Sequence, residues 1–600
     1  MTTAACLPVI VALARFLSRG VVLDGDQAVF AMQAHDAATG GFPTMGLYSW
    51  NGWNHPGPVA FYVYAPFDWL SDGAAWGTLL ATGAWSMATM VLVGWLASRL
   101  RGSVGPASGE GRIDSGYRHQ TFPDSLVATC LAIQLATWIA VGGVGVIDPW
   151  TPNLAASLVV PFLLAAWGMA EGDRAATYAA VILGAIAPQL HVGYSALVGV
   201  CGAAALVIGW RHKSPRVEPP SGTNEGQRLS WPTVAKATTV GVVLWLPVIV
   251  DVVTSRTGNL SELARYFRSG TPPPAGIGEG LRIMAGEISP VPTWITGPRP
   301  QGLFLEARQS SLVWLTGLVL LVGAALIRRR STPLIIATFA LVTATISCAQ
   351  LRGFRYHYLV YWRAPIILLA VVAAIGTLIV KHGRSIEAIA GVALVAALVA
   401  ATWSTGRADQ VTRYGDAIGD LAHQLTAQKP TGRVLLELGD GGVVGALPGI
   451  LHDLQLRGAD VGVQPGIEWV VGDRGIDPAT ADEVWFVTDN GWSFSLLTQD
   501  GRGTVIASRS PYDATSEQRV RVLQRDLAGQ LRAVGRPDAI RALDSELVAL
   551  ALGDIAGLDA AEIGELADLN ARLGGSGKRL GVVKFSPDVL PDVWWPLNAL

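Results

Sequence analysis

Asp24, Asp26, His35, Asp36 and His55 all fall in the stretch DGDQAVFAMQAHDAATGGFPTMGLYSWNGWNHPGP, residues 24 to 58, just after the first apolar run. A carboxylate partly shielded from water, here by Tyr48, Trp50, Trp53, Tyr62 and Tyr64, has its pKa raised towards the range of a general base. Asp24 and Asp26 are therefore candidate bases. They also stand where a helix over Gln27 to Ala38 would be capped, since Asp is favoured at N-caps and in first turns. One can cap while the other reacts. His55 lies in NHPGP, where two prolines restrict the backbone; it either pins this loop or meets an anionic group.

Other segments hold residues suited to bind phosphate. LRGFRYHYLVYWR, Leu351 to Arg363, supplies Arg352, Arg355 and His357 among tyrosines and a tryptophan. This is either a set of phosphate ligands or a basic, aromatic belt against lipid headgroups. PQLHVGY contributes Gln189 and His191 at a turn between apolar segments, as ligands of the same substrate or as buried structural groups. Asp148, in VIDPWTPN, is a candidate ligand for a divalent metal or a cap for the helix that follows.

The elements that must position these residues are membrane helices. Of the 600 residues 50% are hydrophobic and 15% charged, against about 25% charged in soluble proteins. Uncharged runs of helix-spanning length recur up to residue 406, because only a helix satisfies its own backbone in hydrocarbon. The run from Ala175 to Trp210 is too long for one crossing and divides near Pro188 to Gly193. About eleven spans result. Lys and Arg concentrate in alternate loops, which predicts a cytoplasmic N-terminus and puts residues 19 to 75, Asp148 to Pro152, Gln189 to Gly193, 251 to 308, 352 to 363 and everything after 406 outside the cytoplasm. The formal net charge of −2 offers no basic field for nucleic acid. Cys6, Cys130, Cys201 and Cys348 lie in apolar runs without metal-ligand spacing and read as small core residues.

From Arg407 charge returns at the density of a soluble domain. Short apolar runs at Arg433 to Leu438, Asp460 to Val463, Glu483 to Thr488 and Thr504 to Ser508 alternate with amphipathic segments, predicting a C-terminal α/β domain over 407 to 600. GDGGVVG, Gly439 to Gly445, has the wrong spacing for a dinucleotide fingerprint and reads as a turn; GGSGKR, Gly574 to Arg579, lacks the spacing of a P-loop.

The order of first helix, DGDQA, a long loop with NHPGP, many spans and a terminal outer domain resembles the GT-C class of integral-membrane glycosyltransferases. That resemblance implies a GT-C-like helical domain over 1 to 406, with a catalytic first outer loop at 19 to 75. It also implies a plasma-membrane enzyme that transfers a sugar from a polyprenyl-phosphate donor to a cell-envelope glycan, lipid or protein, with inversion, through an acid in that loop. Asp26 matches the acidic position best and Asp24 second. Gln27 stands where relatives often carry another acid, so the choice between the two stays open. Some members use a divalent metal. Two other functions fit the bulk features: a transporter or flippase of lipid-linked glycans, which would place ionisable groups at mid-membrane, and a non-catalytic scaffold.

Overall fold

The computed structural model describes residues 1–49, 51–100, 121–211, 229–255, 258–297, 312–353, 355–378, 383–407, 415–428, 432–438, 445–488, 494, 497, 498, 501, 503–510, 514–544, 548–572 and 580–586. Two compact units emerge: Met1–Arg19, Ala34–Leu70 and Gly77–Asp409 form the first, and Gly20–Gln33, Ser71–Trp76 and Gln410–Leu600 the second. Residues 439–444 of the first glycine-rich motif, all but its Gly445, and residues 574–579 of the second lie outside the described residues.

The first unit is a bundle of apolar helices. Ala75–Arg99, Asp124–Val141, Thr151–Ala170, Val192–Arg211, Thr332–Ala349, His357–Leu378 and Ile386–Arg407 are each long and apolar enough to cross a membrane. Trp231–Leu244 and Leu246–Thr254 add an eighth span if the pair, bent by 56°, is counted as one. The break falls at Trp245, two residues before Pro247, which lacks an N–H and crowds the carbonyl of the preceding turn. The three remaining segments read as spans form the helices Thr2–Leu17, Arg174–Leu190 and Leu312–Arg328, the last two of 17 residues. A 17-residue helix reaches about 25 Å, short of the ~30 Å hydrocarbon core, so length alone does not bring the count to eleven.

Burial separates inner from outer helices. Thr151–Ala170 is apolar on every side and wholly enclosed, whereas Ile386–Arg407 is only 17% buried. Val253, Val313 and Ile327 stand exposed on helix surfaces, as side chains that face lipid do. All four cysteines are free and buried.

The second unit contains the predicted α/β region. Strands β3 (Val434–Leu438), β4 (Val461–Val463), β5 (Glu483–Thr488), β6 (Thr504–Arg509) and β7 (Leu580–Phe585) form a sheet in the order β4-β3-β5-β7-β6, the short pair β1 (Tyr48–Ser49) and β2 (Trp53–Asn54) belonging to the first unit. The pairs β3–β4 and β3–β5 are parallel and β7 runs antiparallel to both neighbours. One face of the sheet is sealed by Leu435, Val484, Phe486, Val583 and Phe585. A separate helical core gathers Leu523, Leu527, Leu531, Leu543, Leu552 and Leu566. Strand β7 is absent from the sequence reading, although it sits inside the sheet. Its six residues, LGVVKF, lie between the glycine-rich run Gly574 to Arg579 and Pro587, so the turn signals that bound a strand are present in the sequence.

Candidate active site

Two histidines from distant parts of the chain meet in the first unit. His55 follows the hairpin β1–β2, whose register pairs Tyr48 with Asn54 and Ser49 with Trp53. His191 terminates the helix Arg174–Leu190 with an extended backbone. Their rings lie 4.7 Å apart at 37°, both nearly buried, at 9% and 3% exposure. The Val192 N–H donates to His55 Nδ1 (3.4 Å) and the Gly193 N–H donates to His191 Nδ1 (3.2 Å). A nitrogen that accepts a backbone proton carries none itself, so each neutral ring holds its proton on Nε2. Burial first, then the neighbouring His191, pushes His55 well below the usual imidazole range; burial pushes His191 down to about 4.

Aromatic rings surround the pair. Trp53 packs edge-on against His55 at 5.5 Å, and Tyr194 and Tyr358 pack edge-on against His191 at 5.8 and 6.2 Å. Tyr358 also meets Trp150 at 4.7 Å and stacks on Tyr356 at 5.4 Å. Four segments assigned by charge pattern to one side of a membrane therefore converge at one place: the loop of His55, the turn of His191, the residues after Asp148 and the loop that holds His357. His357 opens the short turn His357–Val360 beside Tyr358.

The His55 loop is fastened by amides. Asn259 Oδ1 accepts the Asn54 N–H (2.7 Å) while its Nδ2 donates to the Asn54 carbonyl (2.8 Å), a reciprocal pair that mimics a strand partner. Asp251, buried at the end of the bent helix pair, accepts the Asn259 N–H (3.0 Å) and the Ser255 hydroxyl (2.9 Å). On the other side Gly57 lies against Gln189. A Cβ on Gly57 would overlap the Gln189 carboxamide, so the loop approaches only because this residue has no side chain. Gln189 Nε2 donates to the carbonyls of Ala185 (3.1 Å) and Leu244 (3.0 Å), and its Oε1 is buried with no hydrogen-bond partner among the described residues.

The arginine loop is more committed than its composition suggests. Arg355 pairs with Glu279 at 3.0 Å, and Arg352 donates to the carbonyls of Phe267 (3.1 Å) and Pro272 (3.4 Å). Arg363 is buried against Glu287 at 2.7 Å. Arg352 and Arg355 thus brace the segment of residues 267–282. Asp148 accepts the Trp150 N–H (3.0 Å) and the Asn153 amide (2.9 Å), the geometry of an anchored turn before the helix Thr151–Ser157. Among the described residues no group of three or more His, Cys, Asp or Glu is placed to hold a metal ion.

Asp24 and Asp26 belong to the second unit. The Asp24 carbonyl accepts the Ala28 N–H (3.0 Å) and the helix starts at Gly25, so Asp24 holds the N-cap position and Asp26 the first turn of Gly25–Ala38. Asp24 is buried and Asp26 half-buried.

Three polar groups escaped the sequence reading. His35 Nδ1 meets the buried Asp68 Oδ2 at 2.8 Å, and Asp251 and Asn259 build the clip on the His55 loop. Asp68 carries a legible signal, being the single charge in PGPVAFYVYAPFDWLS. Asp251 likewise closes an uncharged run.

No family model matches the chain, and no curated protein matches its sequence. Among solved structures it is similar to ArnT from Cupriavidus metallidurans bound to undecaprenyl phosphate, with a TM-score of 0.52 and 12% identity, over 84% of this chain and 95% of that one. The fold is that of the GT-C class, an apolar helical bundle joined to an α/β region.

Proposed function

We propose that the chain is a membrane glycosyltransferase that moves a sugar from a polyprenyl-phosphate donor to a glycan, lipid or protein of the cell envelope, at the outer face of the plasma membrane. The observation that carries this reading is the agreement in fold, across 84% of the chain, with a protein seen bound to undecaprenyl phosphate. A donor of that kind keeps its isoprenoid tail in the bilayer, so its anomeric carbon is reachable only near the interface, where loops between helices lie.

In the reaction, the acceptor hydroxyl oxygen forms a bond to C1 as Asp26, or Asp24, takes its proton. The C1–O bond breaks with its electron pair passing to the phosphate oxygen, and polyprenyl phosphate leaves. Attack opposite the leaving group inverts C1. Proton removal by a positioned carboxylate is worth about 10²- to 10⁴-fold in rate. The leaving phosphate needs donors for its growing charge. His55 and His191 suit that task, since both rings offer Nε2–H; Gln189 and the loop of Arg352, Arg355 and His357 are further candidates for donor binding. Arg355 keeps further N–H donors beside the one that meets Glu279.

The test is turnover. Purified protein is incubated with labelled polyprenyl-phosphate sugars and envelope acceptors, and glycosylated acceptor should appear in step with free polyprenyl phosphate. Movement of intact donor between vesicle leaflets, with no release of polyprenyl phosphate, would instead identify a flippase.

A further inference from the structure

The backbone that carries the two aspartates is held by the C-terminal domain at two points. The first is Gly449, in the opening turn of the helix Leu447–Leu456, which links β3 to β4. A Cβ built on Gly449 would stand 2.5 Å from the Leu23 carbonyl oxygen and 3.2 Å from Asp24 Cα. Backbone therefore touches backbone, one residue from the N-cap. Beside it, a Cβ on Gly25 would lie 3.5 Å from the Gly445 carbonyl oxygen. Leu23 itself is enclosed with Ala28 and Ala31.

The second point lies further along the same helix. Arg474 donates from Nη2 to the Met32 carbonyl (3.2 Å), from Nη1 to the Val471 carbonyl (2.9 Å) and from Nε to Gln455 Oε1 (3.2 Å). A guanidinium can serve three acceptors in one plane, and a lysine cannot. A Cβ on Gly472 would come within 2.5 Å of Gln33 Nε2, so this contact too is close. Because β3 and β4 are parallel, the helix between them begins at the carboxyl edge of the strands, the edge where open α/β sheets hold their ligands.

We infer that Gly449 and Arg474 are positioning residues: the C-terminal domain sets the place of Asp24 and Asp26, and a catalytic first loop is complete only with that domain. This rests on the reading that one of the two aspartates is the base. A proton acceptor works only within hydrogen-bond reach of its proton, and a misplacement of about 1 Å can cost roughly 10²-fold in rate. An Ala at Gly449 must push the Leu23–Asp24 peptide by a distance of that order, because the opposing atoms are backbone and cannot rotate away.

The experiment uses the full-length protein in lipid nanodiscs, with Gly449→Ala, Arg474→Lys and Arg474→Gln, each also combined with Asp24→Asn and Asp26→Asn. Gly449→Ala should lower kcat by roughly 10²-fold with the donor KM unchanged. Both Arg474 variants should show the same split, Lys less than Gln. A fold defect would lower the number of donor-binding sites, so kcat is taken per folded, donor-binding site. Combined with the variant of the catalytic aspartate, Gly449→Ala should add almost no further loss, because the two act through one group. Should Gly449→Ala not fold, the Arg474 variants decide by the same two criteria. Unchanged kcat in the single variants, or losses that multiply in the combined ones, would overturn the inference while leaving the base assignment intact. Full transfer by both aspartate variants would remove the base, and this inference with it.

Discussion

His55 and His191, 136 positions apart in the chain, face each other at 4.7 Å, each with its Nδ1 occupied by a backbone N–H of the turn that follows His191. Both are held neutral by burial, and the protonation of one would oppose that of the other. An anionic leaving group changes this balance, because a nearby negative charge favours the protonated ring. Replacing His191 by Phe keeps a ring of similar size and removes Nε2–H. Transfer should fall by about 10²-fold, comparable with the loss of one donor to a developing oxyanion. The check is kcat with donor in excess; an unchanged value would exclude His191 from the reaction.

The same burial makes the fold sensitive to acid. His191 titrates near 4 in the folded chain and near 6.5 when unfolded, so between these values the unfolded chain binds more protons. The contribution of neutral His191 to stability should therefore be full above pH 6.5 and decline as pH falls towards 4. Tm measured between pH 7.5 and 4.5 should drop less steeply in His191→Phe than in the parent protein.

Gly57 and Gln189 form a pair in which one residue has no side chain because the other fills the space. Gly57→Ala should destabilise by about 1–3 kcal/mol, the usual cost of overpacking. Gln189→Ala makes room for the methyl group, so the double variant should be less destabilised than the sum of the singles. Thermal unfolding of the four proteins reads this coupling directly.

Asn259 fastens the loop through both edges of one peptide unit. Asn259→Ala leaves the Asn54 N–H and C=O without their partner at a cost of about 1–3 kcal/mol. Asn259→Asp retains the acceptor but sets a buried carboxylate oxygen against the Asn54 carbonyl and beside Asp251, so its Tm should lie at or below that of Asn259→Ala.

Glu437 in β3 offers a test in the C-terminal domain. It is nearly buried, and burial raises its carboxyl to about 8. Its amide neighbour Gln464 lies at the end of β4. The folded state thus binds a proton that the unfolded chain has lost between about pH 4.5 and 8, and stability should fall as pH rises through that window. Glu437→Gln keeps shape without the charge. Above pH 6.5, where His191 no longer contributes a slope, its Tm should fall less than that of the parent up to pH 8.5 and exceed it there.

What the chain disclosed before its fold was known divides along physical lines. Uncharged runs reported the helices, because hydrocarbon admits little else; their ends were less legible, since 17-residue helices such as Arg174–Leu190 fall below spanning length. His55, Gln189 and His191 stood out as polar groups at Pro- and Gly-bounded breaks; the two histidines do meet, and Gln189 lies against Gly57 of the His55 loop. Arg352 and Arg355 were conspicuous by charge, yet composition could not show that Glu279 and the carbonyls of Phe267 and Pro272 engage them. The division of the first loop was invisible. Gly20–Gln33 clusters with Gln410–Leu600 through glycines and one arginine, contacts between segments some 400 positions apart that no local pattern encodes.

The most direct measurement is sugar transfer from a labelled polyprenyl-phosphate donor by the parent protein, Asp26→Asn and Asp24→Asn, each matched for folding and donor binding. One of the two variants should lose about 10²- to 10⁴-fold in kcat while still binding donor. Undiminished transfer by both would contradict an aspartate base in the first loop.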